Sequence, residues 1–135
     1  VIEVEVQAEL PVETAPLVER LRDTAGRLGI AEATMGLMVV APERMRALNA
    51  EHRGIDKATD VLSFPLDGPD LAAGWPADGP PPELGDVVIC PEAAEDPLPT
   101  LVVHGLLHLL GYDHETDEGQ MLALQDELLA EATES

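Results

Sequence analysis

Three of the four histidines fall within eleven residues, His104-Gly-Leu-Leu-His108-Leu-Leu-Gly111-Tyr-Asp-His114. Residues four apart lie about 40° apart around a helix, so His104 and His108 project side by side. Gly111 suits a left-handed helix end that turns the chain back, and His114 then closes a third corner. Three imidazoles with an open fourth position describe a catalytic zinc site rather than a closed structural one. The competing reading is three separately satisfied core histidines, each needing its own buried hydrogen-bond partner. A shared cation satisfies all three at once, so the expectation is one zinc per chain on His104, His108 and His114.

The metzincin proteases use the same spacing, H-E-x-x-H-x-x-G-x-x-H, with one difference. Position 105 is glycine where those enzymes carry the glutamate that serves as general base. The ligand scaffold is kept and the protease base is absent, which weakens a zinc peptidase or amidase as the function.

Positioning these ligands requires a scaffold. Val1–Leu10 alternates Ile2, Val4 and Val6 with polar residues, the period of a half-buried strand. Thr14 is placed to cap a helix through Leu28, with Val18, Leu21, Ala25 and Leu28 on one face and Gly29 as its stop. Met35–Ala41 reads as a buried strand, Glu43–Glu51 as a helix, and Val61–Leu66 as a strand whose Pro65 puts its end at a sheet edge. Asp67–Glu83, with five prolines and three glycines, is a loop. Leu84–Cys90 is a further strand, and Leu101–Leu110 is an almost wholly apolar, hence buried, helix. Thr116 caps a last helix to Ala132, with Asp117 and Glu118 in its first turn. Strands and helices in this order predict an α/β (α+β) fold, a small mixed sheet packed with helices.

Composition narrows the function. A chain of 135 residues with 45% hydrophobic residues is read as one globular domain spanning 1–135. No apolar run reaches the ~18–20 residues of a membrane helix, no secretory signal pattern opens the sequence, and the single Cys90 suits a reducing compartment. The expectation is a cytoplasmic protein with no membrane partner. Three aromatics, Phe64, Trp75 and Tyr112, are too few for a base-stacking sheet. All seven Lys and Arg lie before position 58, together with ten of the acids; residues 58–135 hold the other 17 acids and no Lys or Arg. The second half therefore offers no broad phosphate-binding surface. A polyanion must be met by a metal or by the first half.

The segment HGLLHLLGYDH resembles the signature of the YbeY family, bacterial zinc-dependent endoribonucleases of ribosomal RNA maturation. Two further segments match in the family's order: Arg53-Gly-Ile-Asp-Lys-Ala-Thr-Asp-Val-Leu-Ser-Phe-Pro65 and Leu84-Gly-Asp-Val-Val-Ile89. The likeness covers most of the chain, although Pro91–Thr100 is shorter than the family's passage before the histidine helix. The resemblance implies a zincin-like fold with the metal site at the end of a buried helix. It also implies a functional Arg53 and RNA, namely ribosomal RNA of the small subunit, as partner. Ribosome-assembly proteins are further candidate partners; DNA is not expected. The implied activity is single-strand-specific cleavage in late small-subunit RNA 3′-end processing and ribosome quality control.

Other residues weigh less. On its own Arg53 reads as a solvated charge in a loop after a helix; with the resemblance, its guanidinium becomes a clamp for two phosphate oxygens. Lys57 is a weaker phosphate contact. Asp60, Ser63 and Asp86 read as turn or cap hydrogen-bonding groups. Asp113 is either a partner of a ligand or part of the turn, and Glu115 is a candidate proton acceptor among many acids. His52 reads as an ordinary surface histidine, Cys90 as a small core residue, and Met121, Leu124 and Leu128 as a core stripe. Two rivals to the endoribonuclease stand: the zinc peptidase or amidase, and a non-catalytic assembly factor whose zinc organises the fold.

Overall fold

The computed structural model describes residues 2–30, 32–66, 81–111 and 119–134. Strand β1 (Glu3–Ala8) is followed by α1 (Ala15–Arg27), β2 (Thr34–Val39), α2 (Pro42–Arg53), β3 (Val61–Pro65), β4 (Glu83–Ile89), α3 (Leu98–Leu109) and α4 (Gln120–Glu134). The four strands form one mixed sheet in the order β1-β2-β4-β3, parallel except for the antiparallel β3–β4 pair. The mixed α/β architecture is the one the sequence predicts. Pro65 ends the edge strand β3, where its missing N–H costs no ladder hydrogen bond.

Val87, Val88, Ile89 and Cys90 are all fully buried or nearly so, because helices cover both faces of β4. On one face α1 and α3 pack over Leu37, Val39, Val87 and Ile89 through Leu21, Leu106 and Leu109. On the other, α2 packs Met45 and Leu48 against Leu62, Val88 and Cys90. Helix α4 adds to the first layer by packing Met121 and Leu128 on Val103 and Leu107 of α3. Cys90 is thus the buried core residue expected, and the Met121–Leu128 stripe faces inward as expected.

A bulge sets which residues of β4 face which layer. Thr34 pairs with Glu83 and Gly36 with Asp86, so β4 spends one residue more than β2 over this stretch. Gly85 sits there at φ 129°, and a Cβ on it would run into the Phe64 carbonyl. Only glycine fits. The extra residue switches the alternation, so Leu84, Val87 and Ile89 share the α3 face while Asp86 leans over Gly36 on the other.

Several boundaries move. Thr14 makes no side-chain cap; Pro16 in the first turn starts α1. Helix α2 begins at Pro42 and continues to Arg53, and Glu83 belongs to β4 rather than to the preceding loop. Helix α3 starts at Leu98, three residues before Leu101, after a single 3-10 turn at Pro91–Ala93. The predicted start of the last helix at Thr116, and most of the loop from Asp67, lie outside the described residues.

Candidate metal centre

Helix α3 is apolar because nearly every side of it is covered. Leu101, Val102, Leu106 and Leu109 face the sheet and α1, and Val103 and Leu107 face α4. His104 and His108 occupy the strip between these two packed faces and are half-buried. Their rings stand 4.8 Å apart, centroid to centroid, at an interplanar angle of 69°. The side-by-side placement predicted from their spacing is what the helix delivers. His108 lies in the last turn of α3, whose carbonyl end favours a cation.

Gly105 lets the helix carrying both imidazoles approach the sheet. A Cβ at this position would lie 2.6 Å from Val87 Cγ1 and 3.0 Å from Val87 Cγ2. The close approach also brings the Gly105 carbonyl to Ser63, whose Oγ donates to it at 3.0 Å. Ser63 is therefore neither a turn nor a cap residue, as the sequence reading had it. It ties edge strand β3 to the histidine helix.

His104 has a partner that sequence reasoning missed. Its Nδ1 lies 2.7 Å from Oε1 of Gln125 on α4. Gln125 follows Met121 by four residues and precedes Leu128 by three, a polar residue in the middle of an apolar stripe. That placement was the available signal.

Nitrogen donors on adjacent helical turns, partly shielded from water, with one ring oriented through its Nδ1, suit a borderline ion such as zinc. His114, the third expected ligand, lies outside the described residues, as do Asp113 and Glu115. Among the described residues no three His, Cys, Asp or Glu side chains form a metal cluster.

Arg53 stands in the last turn of α2 and is exposed, rather than in the loop after it; Gly54, at φ 70°, ends the helix. The connection to β3 is pinned back on α2. Asn49, buried, donates from Nδ2 to the Lys57 carbonyl at 2.8 Å. Arg46 grips both carboxylate oxygens of Asp56 at 2.6 and 2.9 Å. That hydrogen bond, helped by the guanidinium charge, lowers the Asp56 pKa and raises that of Arg46. Lys57 is exposed, and the Asp60 carbonyl accepts from Cys90 N at 2.9 Å, joining the loop's end to β4. His52 is a surface residue as expected, with its ring edge-on to Phe64 at 4.5 Å.

The α2 face of the sheet is acidic at its other end. Glu3, Glu5, Glu83 and Asp86 border a concavity of about 370 Å³ over β1, β2 and β4. Asp86 therefore belongs to this acidic face and not to a turn.

A helix-backed mixed sheet whose buried helix presents two adjoining imidazoles defines the class: a mixed α/β protein with paired histidines on its central helix. A family model described as endoribonuclease YbeY matches residues 5–133. A relative of that name from Nitratiruptor sp. is 41% identical over 113 residues, covering 76% of this chain and 72% of its own. One from Limosilactobacillus fermentum is 43% identical over 126 residues, 81% of this chain and 80% of its own. The Nocardia farcinica relative is 37% identical over 151 residues, 99% of this chain and 81% of its own. That alignment is longer than the 135 residues here, so the relative carries internal residues with no counterpart in this chain. The solution structure of a protein from Thermotoga maritima superimposes with a TM-score of 0.58 at 25% identity, over 96% of this chain and 87% of that one. The chain belongs to the endoribonuclease YbeY family.

Proposed function

We propose that His104, His108 and His114 hold one zinc ion at the end of α3, and that Arg53 binds the RNA phosphate cleaved there. The activity is that of the family, an endoribonuclease of ribosomal RNA maturation. The finer reading is single-strand-specific cleavage at the 3′ end of small-subunit RNA, late in assembly and in ribosome quality control. It places the enzyme in the cytoplasm as one domain over 1–135, in contact with the small subunit and ribosome-assembly proteins. No helix among the described residues is long and apolar enough to cross a membrane.

The adjoining imidazoles of His104 and His108 carry this reading. When bound, zinc supplies Lewis acidity and neutralises phosphate charge. The chain's own residues do the rest. Packing of α3 against β4 at Gly105 fixes where both imidazoles stand. The planar guanidinium of Arg53 is suited to two phosphate oxygens and to the charge that builds on them during cleavage. Its helix end and the pinned loop behind it limit how far it strays. Gly105 supplies no general base, and a glutamate there would meet Val87, so a peptidase is disfavoured.

The test is His108→Ala. The variant is expected to lose stoichiometric zinc and cleavage of single-stranded RNA together. Wild-type cleavage by this variant with chelator present refutes the metal reading. Product ends report the attacking group: a 2′,3′-cyclic phosphate signals the ribose 2′-OH, a 5′-phosphate signals water.

A further inference from the structure

We propose that Gln125 is a positioning residue that locks the His104 ring in the tautomer able to bind metal; this rests on the zinc reading above. Gln125 is buried at 8% exposure, flanked on the same face of α4 by Met121 at 0% and Leu128 at 5%. A leucine there would extend the apolar stripe that packs on Val103 and Leu107, whereas a buried amide costs free energy unless it is hydrogen-bonded. The amide meets its partner in His104, with Oε1 2.7 Å from Nδ1.

The orientation of the amide, with its oxygen toward the ring, decides the proton's place. An amide oxygen is only an acceptor, and two acceptors repel at this separation, so Nδ1 must carry the hydrogen and donate it. A neutral imidazole protonated on Nδ1 has its lone pair on Nε2, the nitrogen that can then coordinate zinc. The opposite amide orientation would donate to Nδ1, put the proton on Nε2 and block coordination. Gln125 thus does for His104 what a carboxylate or backbone carbonyl does for many metal-bound histidines. Being uncharged, it does so without adding to the acidity of this part of the chain.

Two measurements on this chain test this. In the zinc-free wild type at pH 8, long-range ¹⁵N–¹H spectra should show His104 protonated on Nδ1, and Gln125→Met should lose that preference. In competition between each protein and a chromophoric chelator for Zn²⁺ alone, Gln125→Met should bind roughly 10–100-fold more weakly. Gln125→Glu, which keeps an acceptor, should restore both the tautomer and most of the affinity. A wild-type ring protonated on Nε2 overturns the proposal without recourse to any variant. So does a Gln125→Met protein that binds zinc as tightly as wild type, which leaves the zinc reading intact. A wild type that binds no zinc overturns the zinc reading itself, and this proposal with it.

Discussion

Gly105→Ala measures how much the close seating of the histidine helix is worth. In an exposed helix the change would stabilise by about 1 kcal/mol through helix propensity. Here the new methyl would lie 2.6 Å from Val87 Cγ1, and Val87 is fully buried with no room to retreat. Overpacking of this kind costs about 1–3 kcal/mol. Lifting α3 to relieve it stretches the Ser63–Gly105 hydrogen bond, worth about 0.5–1.5 kcal/mol. The costs outweigh the propensity gain, and the net loss is expected at about 1–3 kcal/mol. Val87→Ala opens the space the methyl needs, so the double variant should lose less than the two singles together, by at least about 1 kcal/mol. Urea unfolding followed by far-ultraviolet circular dichroism, with chelator present to remove metal linkage, reads all four proteins. A Gly105→Ala protein stabilised by the full propensity gain, with additive Val87→Ala, would falsify the close approach.

Further expectations concern activity and the α2–β3 loop. Gly105→Glu should bring no efficient proteolysis of a peptide library, since the side chain meets Val87 and a base alone lacks oxyanion donors. Arg53→Ala should keep zinc and fold while slowing RNA cleavage by ~10²-fold or more, and Arg53→Lys should recover only part of it, having charge without the planar fork; wild-type rates in Arg53→Ala refute the assignment. Asn49→Ala removes the donor to the Lys57 carbonyl, which water can reach, and should cost about 0.5–1.5 kcal/mol in urea unfolding. Asp56 is held below the usual carboxylate pKa of about 3.9, so its link to Arg46 stabilises fully above that value and is lost as pH falls through the lowered pKa. Both groups are exposed, so wild type and Asp56→Asn should differ slightly at pH 7, less in high salt, and not at all in strong acid.

The histidine pair was legible because its spacing and the period of a helix are both local properties. The same holds for Gly111, which takes the left-handed conformation expected of it at φ 97°. What escaped depends on neighbours distant in sequence. Ser63 looks like any turn serine until β3 is laid beside α3. Asp86 reads as a turn or cap group until the Gly85 bulge turns it over Gly36. Gln125 escapes any reading that follows a stripe by its apolar members, although its offset from Met121 and Leu128 marks it. Arg53 reads as a loop residue only while helix α2 is ended at Glu51. Its left-handed stop, Gly54, is visible in the sequence, and Pro42 marks its start. The central place of β4 also left a trace, since four consecutive apolar residues, Val87 to Cys90, suit a strand covered on both faces.

The strand order also dictates a schedule for synthesis. β4 lies between β2 and β3, and its partner Thr34 precedes Glu83 by a long stretch of chain. Until β4 has left the ribosome, β3 has no neighbour to pair with and α3 has no floor to rest on. His104 and His108 come only after β4, and Gln125 later still. Domains fold as units while the ribosome delivers them, and pairing across such a separation waits for both ends. A nascent chain therefore carries its acidic sheet residues and Arg53 before the histidine pair and the helix that packs beside it exist.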